Sequence, residues 1–236
     1  MSRLARSQQA LKLFSEVDLP HPWCRQGWCL YRCTAARAVK VAAFDFDKTL
    51  YFGGPSWKLT SAQIPKRLQQ LQQFGYTVVI FSNQQGPGRQ TSSERMQLEV
   101  AKLLSNFEDF YDFVRVDLQI FVSTARGDIG DPFRKPNTGM WKLFRSLCCG
   151  CLSGQPLALF SNHVEVFLEQ HLSSPERPRQ SFYVGNSAGR KGDASDVDMK
   201  FAQNAELIFY TPEEFLGWCD SIPRKTQVAE NMRKHV

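Results

Sequence analysis

Two aspartates spaced two positions apart are the side chains of this sequence best suited to chemistry. Asp45 lies at the end of an apolar run and Asp47 directly follows that run. If the run is a strand that continues, both carboxylates lie on one face, close enough to need a cation that offsets their repulsion. Mg²⁺ prefers such hard oxygen ligands and bridges carboxylate to phosphate. A carboxylate held beside a phosphoryl group can attack phosphorus, and its neighbour can give and take a proton.

Further polar residues stand where other apolar runs end. Ser82 and Asn83 supply a hydroxyl and backbone donors for phosphate oxygens, Lys135 supplies a cation in a loop before a helix, and Asn186 ends a later run. The carboxyl ends of all strands in an open parallel sheet face the same way. We therefore expect these groups, although distant in sequence, to converge on one crevice.

The elements that must position these residues can be predicted from apolar patterning. Short runs that are apolar almost throughout are typical of strands buried on both faces of a parallel sheet. They cover residues 39–46, 76–83, 118–124, 181–186 and 205–210. Apolar stripes at helical spacing lie between them, with the residue sets Ile64, Leu68, Leu71; Met96, Val100, Leu103, Leu104; and Met140, Leu143, Phe144, Leu147. The order predicts an α/β fold, a three-layer α/β/α sandwich around a parallel sheet.

Two helix starts carry capping signals. Thr91 and Glu94 have the spacing of a capping box for the second helix of the domain. Thr211, followed by Pro212 and by Glu214, has the pattern of an N-cap, a first-turn proline and a third-position acid. We expect a last short helix to begin there.

The composition is that of an ordinary globular chain. The 236 residues are 42% hydrophobic and 22% charged, which excludes a fibrous or wholly disordered protein, and the formal net charge of +6 is consistent with a polyanionic partner. No apolar run approaches the roughly 18 residues of a membrane-spanning helix, so we expect a soluble protein with no membrane partner. The seven cysteines are expected to be reduced, and the groups Cys24, Cys29, Cys33 and Cys148, Cys149, Cys151 have no assigned role.

The chain divides into three parts on this evidence. Residues 1–38 are predicted to be an N-terminal extension, with irregular structure over 21–38; residues 39–217 form the main domain, and 218–236 a basic tail. The first residues are basic and potentially helical, which resembles a mitochondrial presequence. The alternative is a frayed basic terminus.

The polar strand ends together resemble the four motifs of the haloacid dehalogenase superfamily of phosphatases. The likeness is closer to the phosphatase domain of polynucleotide kinase 3′-phosphatases, over roughly 39–217. It rests on Asp45-Phe46-Asp47, Phe81-Ser82-Asn83-Gln84 with Gly88-Arg89, Arg134-Lys135-Pro136-Asn137-Thr138-Gly139-Met140-Trp141, Tyr183-Val184-Gly185 with Ala188-Gly189-Arg190, and Thr211-Pro212-Glu213-Glu214-Phe215. The resemblance implies a Rossmann-like domain, and the spacing of the motifs leaves no room for a large cap domain.

The resemblance also implies roles for individual residues. Asp45 is expected to be the nucleophile and Asp47 the general acid and base. The Mg²⁺ ligands would be the Asp45 carboxylate, the Asp47 backbone carbonyl and Asn186. The phosphate would be held by Ser82, Asn83, Thr49 and Lys135, with Asp193 and Asp198 supporting the site and Arg89 and Arg134 steadying a nucleic-acid backbone.

Two positions depart from the family pattern. Lys48 stands where glycine is usual, and its side chain either points to solvent or adds positive charge at the mouth of the crevice. Asn186 stands where an aspartate is usual. An amide offers the metal one oxygen but no negative charge, so we expect weaker Mg²⁺ binding and slower turnover.

The implied function is that of a DNA 3′-phosphatase that removes blocking 3′-phosphates at strand breaks, acting as a monomer in DNA repair. We expect it in the nucleus, with the mitochondrion as the alternative raised by the basic N-terminus. No Gly-Lys pair of a phosphate-cradling kinase loop occurs in the sequence. Two rival functions stay open, a module that binds nucleic-acid ends without catalysis and a phosphatase of small molecules.

Overall fold

A computed structural model describes residues 3–34, 38, 40–52, 58–149 and 181–217. The predicted basic tail at 218–236, the side chain of Cys149, and Cys151 therefore lie outside the described residues. The strands are β1 (Cys24–Gln26), β2 (Cys29–Arg32), β3 (Lys40–Phe44), β4 (Tyr51–Phe52), β5 (Lys58–Leu59), β6 (Tyr76–Asn83), β7 (Leu118–Ser123), β8 (Phe182–Val184) and β9 (Ile208–Tyr210). The helices are α1 (Arg3–Ser15), α2 (Ile64–Gln73), α3 (Ser93–Val114), α4 (Gly139–Cys149), α5 (Val197–Asn204) and α6 (Pro212–Leu216), with a short 3₁₀ turn at Pro87–Arg89.

A sheet of seven strands forms the centre of the domain, in the order β1-β2-β7-β6-β3-β8-β9. Strands β7, β6, β3, β8 and β9 are parallel, each hydrogen-bonded to the next. The predicted α/β fold is confirmed, and the structure forms the strands inside the five predicted runs. The run at 205–210 is strand only over Ile208–Tyr210, because Ala205 caps the end of α5.

Helices cover both faces of this sheet because successive strand residues point to opposite sides. Val78 and Ile80 of β6 pack with α1, α2 and α3, in a cluster that includes Phe14, Leu68 and Phe107. Val79 and Phe81 of the same strand pack on the other face with α4 and α5. This alternation produces the predicted three layers.

The prediction of irregular structure over 21–38 is wrong for the stretch from β1 to β2. These strands form an antiparallel hairpin whose second strand pairs antiparallel with β7, from Cys29 opposite Ser123 to Arg32 opposite Ile120. Gly27 turns the hairpin with a φ of +53°, a conformation that favours glycine. Strands of three and four residues are too short to show a period in sequence, and their partner lies about ninety residues away.

The N-terminal helix belongs to the packed core. Phe14 of α1 is fully buried and its ring stacks on Trp28 with centroids 5.0 Å apart. Arg25 donates hydrogen bonds to the carbonyls of Phe14 and Val17 at 2.6 and 3.0 Å. These contacts tie the end of α1 to the hairpin, so this part of the predicted extension is not a frayed terminus.

The predicted start of α3 is displaced by one residue. Ser92, not Thr91, is the N-cap, and its hydroxyl accepts from the backbone N–H of Arg95 at 3.4 Å. An arginine at the third position cannot complete a capping box. The box predicted at Thr211 is present, because Thr211 and Glu214 each bond the other's backbone N–H.

Truncation of Phe14 tests whether α1 contributes to the stability of the domain. We expect Phe14→Ala to lower the free energy of unfolding by about 3–5 kcal/mol, because the change leaves a cavity against Trp28. Leu98→Ala, at a side chain that is 54% exposed on α3, is the matched control and should change it by less than about 0.5 kcal/mol. Urea unfolding followed by tryptophan fluorescence measures both. Equal, small effects of the two variants would contradict the packing.

No helix among the described residues combines the length and the apolarity needed to cross a bilayer. Cys24, Cys29 and Cys33 form no disulfide, and the Sγ atoms of Cys33 and Cys148 lie 3.5 Å apart between β2 and α4.

Candidate active site

The predicted polar residues meet at the carboxyl ends of three neighbouring strands. Asp45 follows β3, Ser82 and Asn83 end β6, and Asn186 follows β8 by two residues. In the sheet, Phe44 of β3 stands between its partners on β6 and β8. The register therefore brings three separate sequence motifs to one crevice.

A buried lysine joins this crevice to two carboxylates. Lys135 is 3% exposed, and its Nζ donates to Asp45 Oδ1 and to Asp198 Oδ1, both at 2.7 Å. The same Nζ donates to the hydroxyl of Tyr183 at 2.8 Å, and that hydroxyl donates to Asp198 Oδ1 at 3.1 Å. All three ammonium hydrogens thus have an acceptor, which is what a buried charge requires.

The net effect of burial and the neighbouring charges in this cluster is to raise the pKa values of both Lys135 and Asp45. Burial acts to lower the pKa of Lys135, but the Asp198 and Asp45 carboxylates outweigh it and raise that pKa above its ordinary value. Burial and the Asp198 charge raise the pKa of Asp45 to about 7, although Lys135 opposes this. A further positive charge beside Asp45 would favour its ionised form.

Asn83 and Thr49, both predicted to bind phosphate, hold the loops of the crevice together. The Asn83 amide donates to the Lys135 carbonyl at 3.1 Å and accepts from the Lys135 N–H at 3.0 Å. The Thr49 hydroxyl donates to Asp45 Oδ2 at 3.1 Å and accepts from the Asn186 N–H at 3.1 Å. Both side chains therefore position residues that face the crevice.

The predicted magnesium ligands have the donor set that the ion requires. An Asn186 amide atom lies 3.1 Å from the Asp47 carbonyl oxygen and 3.2 Å from Asp45 Oδ2. With its nitrogen in that place the amide donates to both oxygens, and with its oxygen there three oxygens converge, as Mg²⁺ prefers. The described residues contain no cluster of three His, Cys, Asp or Glu suited to a metal, because one of these donors is a main-chain carbonyl and another an amide.

Asp47 is held by a residue to which the sequence analysis gave no role. The amide nitrogen of Gln84 donates to Asp47 Oδ2 and to Ser82 Oγ, the latter at 3.0 Å. Burial raises the pKa of Asp47, and the Gln84 hydrogen bond partly opposes that rise. Gln84 and Tyr183 are the site residues that sequence reasoning missed. Both stood within quoted motifs, but nothing in the pattern indicated where their side chains point.

The two aspartates predicted to support the site have different positions. Asp198 accepts from the Ser187 N–H at 3.0 Å in addition to Lys135, and a Cβ on Gly185 would lie only 2.5 Å from the Asp198 side chain. Glycine at 185 is what allows this close approach. Asp193 instead pairs with Arg190 at 3.1 Å and caps the loop after β8, without contacting Asp45 or Lys135.

Two arginines lie beside the crevice. Arg89 is exposed at the end of the 3₁₀ turn, and Arg134 is half-buried with a hydrogen bond to the Ala125 carbonyl at 2.9 Å. Burial lowers the pKa of Arg134, and the nearby Arg89 charge lowers it further. The predicted contact of both arginines with a nucleic-acid backbone stays a prediction.

The backbone conformation of Lys48 explains why glycine is usual at this position in the family pattern. Its φ is +59°, in the left-handed region that favours residues without a Cβ. The residue is exposed, and its charge acts to lower the pKa of Asp47 against the larger effect of burial, so exposure alone does not decide between the two alternatives for this position. Its N–H donates to the Tyr51 carbonyl at 2.6 Å and closes the loop that carries Thr49.

Comparisons with known proteins agree with this geometry. The chain is 34% identical over 188 residues to the polynucleotide 3′-phosphatase ZDP of Arabidopsis thaliana, covering 75% of this chain and 24% of that protein. It is 30% identical over 189 residues to the bifunctional polynucleotide phosphatase/kinase of Schizosaccharomyces pombe, covering 76% of this chain and 38% of that one. The chain thus spans less than half the length of either relative.

A solved structure supports the fold. A Mesorhizobium loti protein described as a HAD-like phosphatase superposes with a TM-score of 0.50 and 16% identity, covering 92% of this chain and 96% of that one. The model of the family described as polynucleotide kinase 3 phosphatase matches residues 40–151 and 159–216. This chain therefore belongs to the polynucleotide kinase 3 phosphatase family.

Proposed function

We propose that the chain is an Mg²⁺-dependent DNA 3′-phosphatase that frees the 3′-hydroxyl at strand breaks. The observation that carries the proposal is the buried Lys135 bonded at 2.7 Å to Asp45, beside Ser82 and the Asn186 amide. A fixed cation against a carboxylate at strand ends is an arrangement that stabilises a phosphoryl group and the nucleophile that attacks it. The relatives named polynucleotide 3′-phosphatase and polynucleotide phosphatase/kinase support the substrate class.

The reaction proceeds in two steps. Asp45 attacks phosphorus, a bond forms between its carboxylate oxygen and phosphorus, and the bond from phosphorus to the 3′ oxygen breaks while Asp47 protonates that oxygen. Asp47 then takes a proton from water, whose oxygen attacks the aspartyl-phosphate and releases inorganic phosphate. Lys135 offsets charge on the phosphate oxygens throughout, and the Ser82 hydroxyl donates a hydrogen bond to one of them.

Three chain atoms would hold the metal, namely Asp45 Oδ2, the Asp47 carbonyl oxygen and the Asn186 side-chain oxygen. When bound, Mg²⁺ supplies charge that draws the phosphate and the nucleophile together. Because Asn186 contributes no charge, we propose that the reaction needs more Mg²⁺ and runs more slowly than with an aspartate there.

The surroundings of the crevice favour a polymer as substrate. Between Asp47 and Ser82 the described residues form only the β4–β5 hairpin, α2 and most of β6, so no large cap covers the strand ends in the described structure. Arg89 and Arg134 would contact the DNA backbone. We propose that the protein acts in DNA repair in the nucleus, as a monomer. The alternative of a cleaved mitochondrial presequence is disfavoured, because removal of the basic N-terminal segment would take the buried Phe14 out of the core.

Phosphate release from defined substrates tests the proposal. We expect release from a 3′-phosphorylated oligonucleotide that stops when EDTA removes Mg²⁺, and little release from the same oligonucleotide phosphorylated at its 5′ end. A panel of phosphorylated metabolites provides the comparison for a small-molecule phosphatase. Faster turnover of any of these than of the oligonucleotide would reject DNA as the substrate.

A second candidate is a module that binds 3′-phosphorylated ends without turnover, favoured by Asn186 alone. Its amide can bond the oxygens of Asp47 and Asp45 in place of a metal. Tight, Mg²⁺-independent binding of the oligonucleotide with no phosphate release would establish this function and reject the catalytic one.

A further inference from the structure

One amide nitrogen links the two residues that the proposed reaction uses for proton transfer and for phosphate binding. Gln84 Nε2 has two hydrogens, and it donates to Asp47 Oδ2 and to Ser82 Oγ at 3.0 Å. Gln84 follows β6 directly, and its backbone N–H donates to the Ser123 carbonyl at 2.7 Å. This anchoring to the end of β7 fixes the place from which the side chain reaches both partners.

The bond to Ser82 determines which way the serine hydroxyl faces. Ser82 is 1% exposed, and its oxygen accepts a hydrogen from Gln84, so its own hydrogen must be directed elsewhere. In the described part of the chain no acceptor takes that hydrogen. The hydroxyl is therefore left to donate into the crevice that holds Asp45 and Lys135.

The hydrogen bond from Gln84 to Asp47 restrains the orientation of the Asp47 carboxylate in the same way. With Oδ2 fixed by Gln84, rotation of the carboxylate costs a hydrogen bond, and Oδ1 is left to exchange a proton. The side chain at position 84 must donate two hydrogens to hold both partners, because Asp47 Oδ2 and Ser82 Oγ each accept from the same nitrogen. A carboxamide meets that requirement and a carboxylate at 84 would not.

We propose that Gln84 is a positioning residue, whose amide turns the Ser82 hydroxyl toward the phosphate and fixes the Asp47 carboxylate for proton transfer. The inference deepens the proposed function and rests on it for the identity of the reaction. It assigns Gln84 no contact with the substrate. Its action passes entirely through the two neighbours that it bonds.

Two substitutions separate the polarity of the amide from its shape. Gln84→Glu keeps the size of the side chain but places a carboxylate against Asp47 and turns the Ser82 hydrogen toward itself. Gln84→Met keeps the length and donates nothing. Gln85→Glu adds the same charge one residue further along and serves as the matched control. Circular dichroism and thermal unfolding establish that each variant is folded, and Gln84→Met serves if Gln84→Glu is not.

The readout is kcat/KM on two substrates that differ in how much the leaving oxygen needs a proton. On a 3′-phosphorylated oligonucleotide we expect a fall of about 1,000-fold for Gln84→Glu and about 100-fold for Gln84→Met, because a misplaced general acid adds to one lost hydrogen bond to the phosphate. On p-nitrophenyl phosphate, whose leaving group departs without protonation, the fall should be several-fold smaller. A purely structural defect would lower kcat/KM equally on the two substrates. That result, or an unchanged kcat/KM on both, would overturn the inference.

Binding of inorganic phosphate decides the Ser82 part without any turnover. Calorimetric titration should give a dissociation constant about tenfold higher for both Gln84 variants than for the wild type and Gln85→Glu, as expected for one lost hydrogen bond to an anion. Equal constants would overturn that part. A wild type that binds phosphate but releases none from the oligonucleotide would reject the proposed function, while the comparison of constants still tests the role of Gln84.

Discussion

Asp45→Asn is expected to reduce phosphate release from a 3′-phosphorylated oligonucleotide by at least about a thousandfold, the loss typical of a removed nucleophile. A carboxamide cannot form the aspartyl-phosphate. The other two carboxylates at the crevice are already engaged, Asp198 by Lys135 and Tyr183 and Asp47 by Gln84. Single-turnover assays with radiolabelled phosphate measure the rate. Release within tenfold of the wild type would remove Asp45 from the role of nucleophile.

The same variant should be no less stable than the wild type in EDTA at pH 8. Burial and the Asp198 charge raise the Asp45 pKa from 3.8 to about 7, so the folded chain disfavours the ionised form. For an acid with a raised pKa, stability falls as the pH rises from the unfolded value through the folded one. The neutral amide avoids that loss, and thermal unfolding at pH 8 can therefore distinguish a chemical defect from a folding defect. Asp112→Asn, at an exposed position on α3, is the control for both assays.

The convergence of the site could be predicted because it follows from topology. Each buried run is apolar on both faces, as in β6, where residues from Val78 to Phe81 are fully buried. Such runs predict a parallel sheet, and a parallel sheet brings the residues after its strands to one edge. This rule alone predicts that Asp45, Ser82 and Asn186 lie together.

The contacts that organise the site could not be predicted by the same reasoning. Whether Asn83 faces a phosphate or the backbone of Lys135 depends on the path of a loop 52 residues further along the chain. Tyr183 lies in a buried strand, where an apolar ring explains its presence, and only the structure shows its hydroxyl on Lys135. Side-chain direction at strand ends depends on tertiary packing that has no local signature.

The N-terminal hairpin shows a second limit. Leu30 pairs with Val122 of β7, and a contact of that sequence separation leaves no period in a four-residue strand. The cysteines and tryptophans of the segment indicated irregular structure because they lack the alternation of a longer strand. The burial of Trp28, which is 4% exposed, reflects its packing against Phe14 of α1.

Asn186→Asp is expected to increase the affinity for Mg²⁺ by at least about tenfold. An amide brings one oxygen and no charge to the metal, whereas a carboxylate brings a full negative charge. The amide nitrogen can also bond the Asp47 carbonyl and Asp45 Oδ2 at 3.1 and 3.2 Å, so in this chain the ion competes with an internal donor. An aspartate has oxygens at both ends and offers no such competition.

The same substitution should make the thermal stability of the protein depend more strongly on Mg²⁺. In EDTA the added carboxylate faces Asp45, which already carries a raised pKa, and like charges at this distance repel. We expect a lower thermal midpoint for the variant in EDTA and a larger rise on addition of Mg²⁺ than for the wild type. This readout depends on binding and folding only, so it holds whether or not the wild type turns over.

Phosphate release then shows what the substitution does for turnover. The Mg²⁺ concentration for half-maximal release should fall at least about tenfold in Asn186→Asp, and the rate at low Mg²⁺ should rise with it. Asn106→Asp makes the same change of charge at an exposed position on α3 and should leave both quantities unchanged. If Asn186→Asp also leaves them unchanged, the amide is not a metal ligand. A large gain from a wild type with no measurable release would show that Asn186 alone separates an end-binding module from an enzyme.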